Sequence, residues 1–120
     1  MAAPNIINVA TITGKTTGTS LTSTTSTTVL TNGASSGKVF KVNVLNVANT
    51  NTSAAVEVTV SYFNGATAYP IVANVSVPSK STLNVIDKTS QYYLEENTSI
   101  TAIAVVASAL VVTVSYEEIS

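Results

Sequence analysis

The chain holds six carboxylates, and four of them fall in adjacent pairs, Glu95-Glu96 and Glu117-Glu118. Neighbouring residues on a strand point to opposite faces, so neither pair is by itself an acid/base couple. Glu95 brought beside Glu117 would form a glycosidase-like pair of carboxylates. With carbonyl oxygens added, the same pair would suit Ca²⁺. The better reading is that both pairs are solvated strand ends. The sequence has no His, no Cys and no Arg. The commonest general base, the thiol nucleophile, the main zinc ligands and the bidentate phosphate clamp are therefore missing. No phosphate-cradling glycine motif is present either. The expectation is a protein that is not an enzyme and uses no cofactor or metal.

Other polar and aromatic groups suit binding better than catalysis. Tyr92 and Tyr93 alternate faces, so one ring should pack inward and the other cap a rim. Together with Tyr69 they are candidate binding residues, as a stacking surface for sugar or as a protein interface. Asn51, Asn74 and Asn97 each open an Asn-x-Ser/Thr sequon, but no secretory leader is evident, so they carry no weight as glycan sites. The run Thr24-Thr25-Ser26-Thr27-Thr28 lacks the fixed repeat that an ice-binding ladder needs.

Composition narrows the partners. Charged residues make up 9% of the chain and the net charge is −1, well below the usual quarter of charged residues. The five lysines, Lys15, Lys38, Lys41, Lys80 and Lys88, are scattered. Binding nucleic acid needs clustered cations, so none is expected, and no basic patch suits a membrane surface. The longest apolar stretch, Ala102 to Val112, is broken by Ser108 and is too short to span a bilayer. The polar surface must be Thr, Ser and Asn, which hydrogen-bond without long-range steering.

The elements that would position these groups are strands. Val56, Val58, Val60 and Tyr62 alternate with Glu57, Thr59 and Ser61, and Asn64-Gly65 follows as a hairpin signal. Ile71, Ala73, Val75 and Val77 continue on one face until Pro78 ends the strand. Phe40, Val42 and Val44 alternate, and then Leu45 and Val47 fall on the other parity. Either a bulge near Val44–Leu45 or burial on both faces accounts for this. Leu83 with Val85, Tyr92 to Leu94, Ile100 to Ala107 and Leu110 to Tyr116 complete the set, the last two as buried central strands. A single short helical turn near Thr89–Gln91 is the most helix the pattern allows. About eight short strands predict an all-β fold, an antiparallel β-sandwich or jelly-roll-like domain, over residues 29–120.

Residues 1–28 read differently. Asn5 to Thr13 predicts a strand. Gly14 to Thr28 is almost all Thr, Ser, Gly and Lys, with Leu21 its one large apolar side chain. Such a stretch buries too little to offset its ordering entropy. The expectation is an N-terminal extended arm, mobile in the free chain and laid along a neighbour in an assembly. Ile6, Ile7, Val9, Ile12 and Leu21 would be its interface anchors, and removal of residues 1–28 would leave a folded core. A core built largely of Val and Ala gains from burial against other subunits, so a homo-oligomer is expected, a trimer being favoured.

Several phrases carry a resemblance. Asn5-Ile6-Ile7-Asn8-Val9, Ile12-Thr13-Gly14-Lys15, Ser36-Gly37-Lys38-Val39-Phe40-Lys41, Tyr93-Leu94-Glu95-Glu96 and the ending Ser115-Tyr116-Glu117-Glu118-Ile119-Ser120 resemble small virion proteins of marine tailed phages, cyanophages especially. The resemblance is one of texture and short phrases, and it brings no active site with it. It implies a structural component of a phage particle, assembled in the host bacterial cytoplasm. The reading it favours is a capsid decoration (cement) protein whose partner is the major capsid protein or another virion protein. A neck, collar or tail component is the alternative, and a receptor- or carbohydrate-binding module of a fibre a further one.

Overall fold

The computed structural model describes residues 11–87, 89 and 91–120. Among them are nine strands and no helix: β1 (Ile12–Ser20), β2 (Thr27–Asn32), β3 (Val39–Asn49), β4 (Val56–Phe63), β5 (Ala68–Val77), β6 (Thr82–Ile86), β7 (Tyr92–Leu94), β8 (Thr98–Ala104) and β9 (Leu110–Ile119). They form two antiparallel sheets. One runs β1-β9-β3-β6, with β7 pairing the same edge of β3 as β6; the other runs β2-β8-β4-β5. One core of Val, Leu, Ile and Ala side chains draws on both sheets, with Phe40 and Tyr116 closing one end, ring centroids 5.1 Å apart. The all-β, sandwich-like architecture agrees with the alternation in the sequence.

Local chemistry explains the elements. In β4, Val56, Val58 and Val60 are buried while Glu57 is exposed and Thr59 half-buried. The β4–β5 hairpin turns through Asn64–Thr67. Asn64 Oδ1 accepts the amides of Ala66 (2.9 Å) and Thr67 (2.8 Å), and Gly65 takes φ +97°. A side chain at Gly65 would put its Cβ 2.9 Å from Asn97 Nδ2 and Asn97 O, so glycine is required on steric as well as conformational grounds. In β3 the phase slip is a bulge. Val42 pairs Tyr116 and Val44 pairs Ser115, leaving Asn43 extra. Phe40 and Val42 are buried before it, Leu45 and Val47 after it. In the last hairpin, β8 ends at Ala104, and Val105 and Val106 turn outward, 53% and 44% exposed. The apolar run expected to continue as a buried strand to Ala107 therefore stops three residues early.

The largest difference lies near the N-terminus. Ile6, Ile7 and Val9 fall outside the described residues. Gly14 to Ser20, expected to lie free as an arm, belongs to β1, paired residue for residue with β9 from Ile12↔Ile119 to Ser20↔Val111. Leu21, expected as an interface anchor, is a core residue with no exposed surface, held by Leu21 N→Leu110 O and Ser108 N→Leu21 O, both 2.9 Å. The boundary after residue 28 also falls inside β2, whose Val29 and Leu30 are buried. Backbone pairing with β9 supplies the ordering that the side chains of β1 could not. Residues 1–28 thus include β1, the buried Leu21 and the first two residues of β2.

Candidate functional site

Three surfaces could carry a function: the charged end of the β1-β9-β3 sheet, the outward face of the β2-β8-β4-β5 sheet, and the free edge of β1. At the charged end, Glu118 accepts Lys15 Nζ on Oε2 and Lys38 Nζ on Oε1, both at 3.1 Å. Glu118 is 13% exposed, while the lysines are 46% and 41% exposed. Partial burial raises the Glu118 pKa, but the hydrogen bonds from Lys15 and Lys38, with their charges, outweigh it and hold the carboxyl below its ordinary value. A lowered carboxyl pKa stabilises the fold above the unfolded-state value, about 4.3, and the gain is lost as pH falls through the folded-state value. Glu118→Gln is therefore expected to cost about 1 kcal/mol or less at neutral pH. The difference from the parent should shrink to nothing in acid, read as thermal midpoints of both proteins across pH.

The neighbouring carboxylate is also engaged within the chain. Glu117 Oε1 lies 3.9 Å from Lys41 Nζ and accepts Asn43 Nδ2 at 3.4 Å, and Asn43 Oδ1 accepts Gln91 Nε2 at 2.9 Å. Glu95 follows β7, with β3 between it and β9, so its backbone stands about 10 Å from that of β9 at the usual strand spacing. The paired carboxylates imagined from Glu95 and Glu117 are not brought together. Glu96 accepts the Gly37 amide at 2.9 Å, a turn contact.

The tyrosines are divided between the sheets. Tyr69 lies on β5, 54% exposed; Tyr93 on β7 is 47% exposed, beside Lys41, while Tyr92 packs against the core. They do not form one aromatic platform. The sequon asparagines are turn and bulge residues. Asn51 Oδ1 accepts the Ser53 amide at 2.9 Å, and Asn74 and Asn97 take positive φ of 49° and 62°.

The outward face of the β2-β8-β4-β5 sheet holds a groove of about 480 Å³ lined by Ser, Thr and Asn, with Phe63 and Ala68. Sequence reasoning missed it, although Phe63 continues the outward parity of Glu57, Thr59 and Ser61 and so announces an aromatic ring on the polar face.

The edges of the sheets differ in openness. β5 carries Pro70 and two register shifts against β4, β2 has one shift and six residues, and the far edge of β3 is divided between β6, of five residues, and β7, of three. β1 runs nine residues without a shift or a proline, and among the described residues it pairs only with β9. Ile12, at its start, is 56% exposed. Ile12 lies in register with Ile119 and, across β9, Val39. Those two are buried but stand outside the main core. No family model, curated protein or solved structure matches the chain.

Proposed function

We propose that this chain is a structural protein of a phage particle, a capsid decoration protein that binds the outside of the head through strand contacts at β1 and the residues before it. The observation that carries the reading is the uninterrupted edge of β1. Proteins usually shield sheet edges with proline, bulges, short strands or charge; the other edges here use the first three, whereas β1 carries a single charge, Lys15, drawn to Glu118. An open edge offers main-chain hydrogen bonds to an added strand, with alternate side chains supplying specificity. Ile12 beside Ile119 and Val39 gives such a strand an apolar end to cover, and Ile6, Ile7 and Val9 lie just upstream. The strand order β1-β9-β3-β6 with β2-β8-β4-β5 supports the jelly-roll reading, a design common in capsid proteins. The surface of Thr, Ser and Asn suits a protein that docks without electrostatic steering. Self-association into a trimer belongs to the same proposal.

The test is reconstitution on heads of the parent phage that lack this protein. The intact chain should coat the head surface. Deletion of residues 1–10 and, separately, Thr16→Pro on the β1 edge should each cut occupancy about tenfold or more. Thr16 is exposed, and its amide faces away from β9 because the hydrogen-bonded pairs fall at odd positions from Thr11 to Leu21, so proline removes a donor from the free edge without entering the core. Full occupancy with both variants overturns the strand-addition mechanism. Labelling confined to the neck or tail overturns the decoration assignment.

A further inference from the structure

We infer that the outward face of the β2-β8-β4-β5 sheet carries a binding site for a neutral saccharide. This site lies on a different surface from the β1 edge and does not rest on the decoration reading. Its floor is two rows of paired residues. Thr31 pairs Ser99, which pairs Phe63, which pairs Ala68; beside them Thr28 pairs Thr101. The groove above them holds about 480 Å³ and no charged side chain lines it, a volume within the range of small-ligand sites.

The polar groups of the floor are available. Among the described residues, the hydroxyls of Thr28, Thr31, Ser99 and Thr101 make no hydrogen bond within the chain. Ser99 is the telling one. It is only 7% exposed, yet among the described residues no side-chain oxygen or nitrogen fully sealed from solvent lacks a partner. Its unpaired hydroxyl therefore opens into the groove. That hydroxyl is free to donate to, and accept from, a ligand hydroxyl seated in the groove.

The chemistry selects the ligand. Ser and Thr hydroxyls both donate and accept, as sugar hydroxyls do, whereas carboxylates only accept and ammonium groups only donate. Phe63 adds a ring that can cover the C–H face of a pyranose. With no cation or anion in the lining, a charged sugar gains nothing over a neutral one. An extended peptide is a poorer match, because the backbone groups of β8 and β4 are already committed to their ladders. The rim is built firmly as well. Asn97, which lines the groove, donates its amide to Asn32 O at 2.8 Å and lies against Gly65 of the β4–β5 turn.

The experiment is a ¹H–¹⁵N NMR titration of the intact chain with glucose, galactose, mannose, N-acetylglucosamine, maltose and lactose, with glucuronate as the charged control. At least one neutral sugar should shift the amides of Thr31, Ser99 and Thr101 in a saturable way at millimolar concentration, and glucuronate should not bind more tightly. Phe63→Ala should weaken that binding about tenfold. Thr28→Glu, at an exposed position, tests the site without touching the core and should abolish saturation. The inference is overturned if no neutral sugar in the panel shifts these residues, or if saturable shifts survive Thr28→Glu in a folded protein. Loss of head attachment in the reconstitution assay leaves this result untouched, so the two ideas fail separately.

Discussion

Asn49→Ala is expected to lower the free energy of unfolding by about 2–4 kcal/mol, and Asn32→Ala by a similar amount, since each strands one buried carbonyl and further part-buried partners. Asn49 ends β3 and is 2% exposed. Its Nδ2 donates to Val77 O at 2.9 Å and Ala54 O at 3.1 Å, and its Oδ1 accepts the Asn51 amide at 2.9 Å. Val77 is the last residue of β5, in the opposite sheet. Asn32 does the same in reverse. It ends β2, is fully buried, and its Nδ2 donates to Lys38 O at 2.8 Å and to Leu94 O of β7 at 2.9 Å, while its Oδ1 accepts Ser36 Oγ. Each asparagine thus ties the end of a strand in one sheet to a carbonyl in the other. Alanine removes the donor and leaves those carbonyls unpaired where water reaches poorly. Asn49→Asp should cost more than Asn49→Ala, because its carboxylate accepts only and would face two carbonyl oxygens. Urea unfolding of the three variants beside the parent measures this. A loss under about 0.5 kcal/mol for both alanine variants, the range of ordinary surface changes, would show that the clips contribute nothing.

These two asparagines also mark the limit of what could be read from the sequence. Alternation located β4 and β9, because one face of each is apolar and the other polar, and the bulge in β3 is one of two readings of a visible phase slip. In β5 the expected face of Ile71, Ala73, Val75 and Val77 is broken by two register shifts, which leave Ala73 exposed and set Val72 against the core. Strand-end asparagines look alike whether they face solvent or clip two sheets, since only the other sheet reveals the difference. β1 was hidden for a related reason. Beyond Ile12 and Thr13, where the sequence predicts a strand, its residues are only Gly, Lys, Thr and Ser, and its order comes from the ladder with β9, a non-local partner that propensity cannot register. The candidate groove shares this origin. Thr28, Thr31, Ser99, Thr101 and Phe63 come from three strands far apart in the chain, and only β2-β8-β4 pairing sets them side by side. Composition and absent residue types were legible at once, because no fold can supply a histidine that the chain lacks.

Leu21→Ala is expected to cost about 3–5 kcal/mol, the upper range for a leucine that leaves a cavity. Leu21 has no exposed surface and lies among the residues of the main core. The site has little freedom to collapse, because the backbone on both sides is pinned. Leu21 N donates to Leu110 O, and Leu21 O accepts the Ser108 amide. Ile12→Ala supplies the contrast. Ile12 belongs to the same N-terminal stretch but is 56% exposed, so its loss should change stability by about 0.5 kcal/mol or less. An arm that only docks on a neighbour would leave Leu21→Ala as silent in the free chain as Ile12→Ala. Deletion extends the argument. Removing residues 1–10 leaves β1 and Leu21 in place and should preserve cooperative unfolding. Removing residues 1–28 uncovers one edge of β9, empties the Leu21 site and cuts into β2. The longer deletion should give a chain without a cooperative thermal transition. If it instead melts within a few degrees of the parent, β1 contributes only attachment, and the ladder with β9 does not hold the fold together.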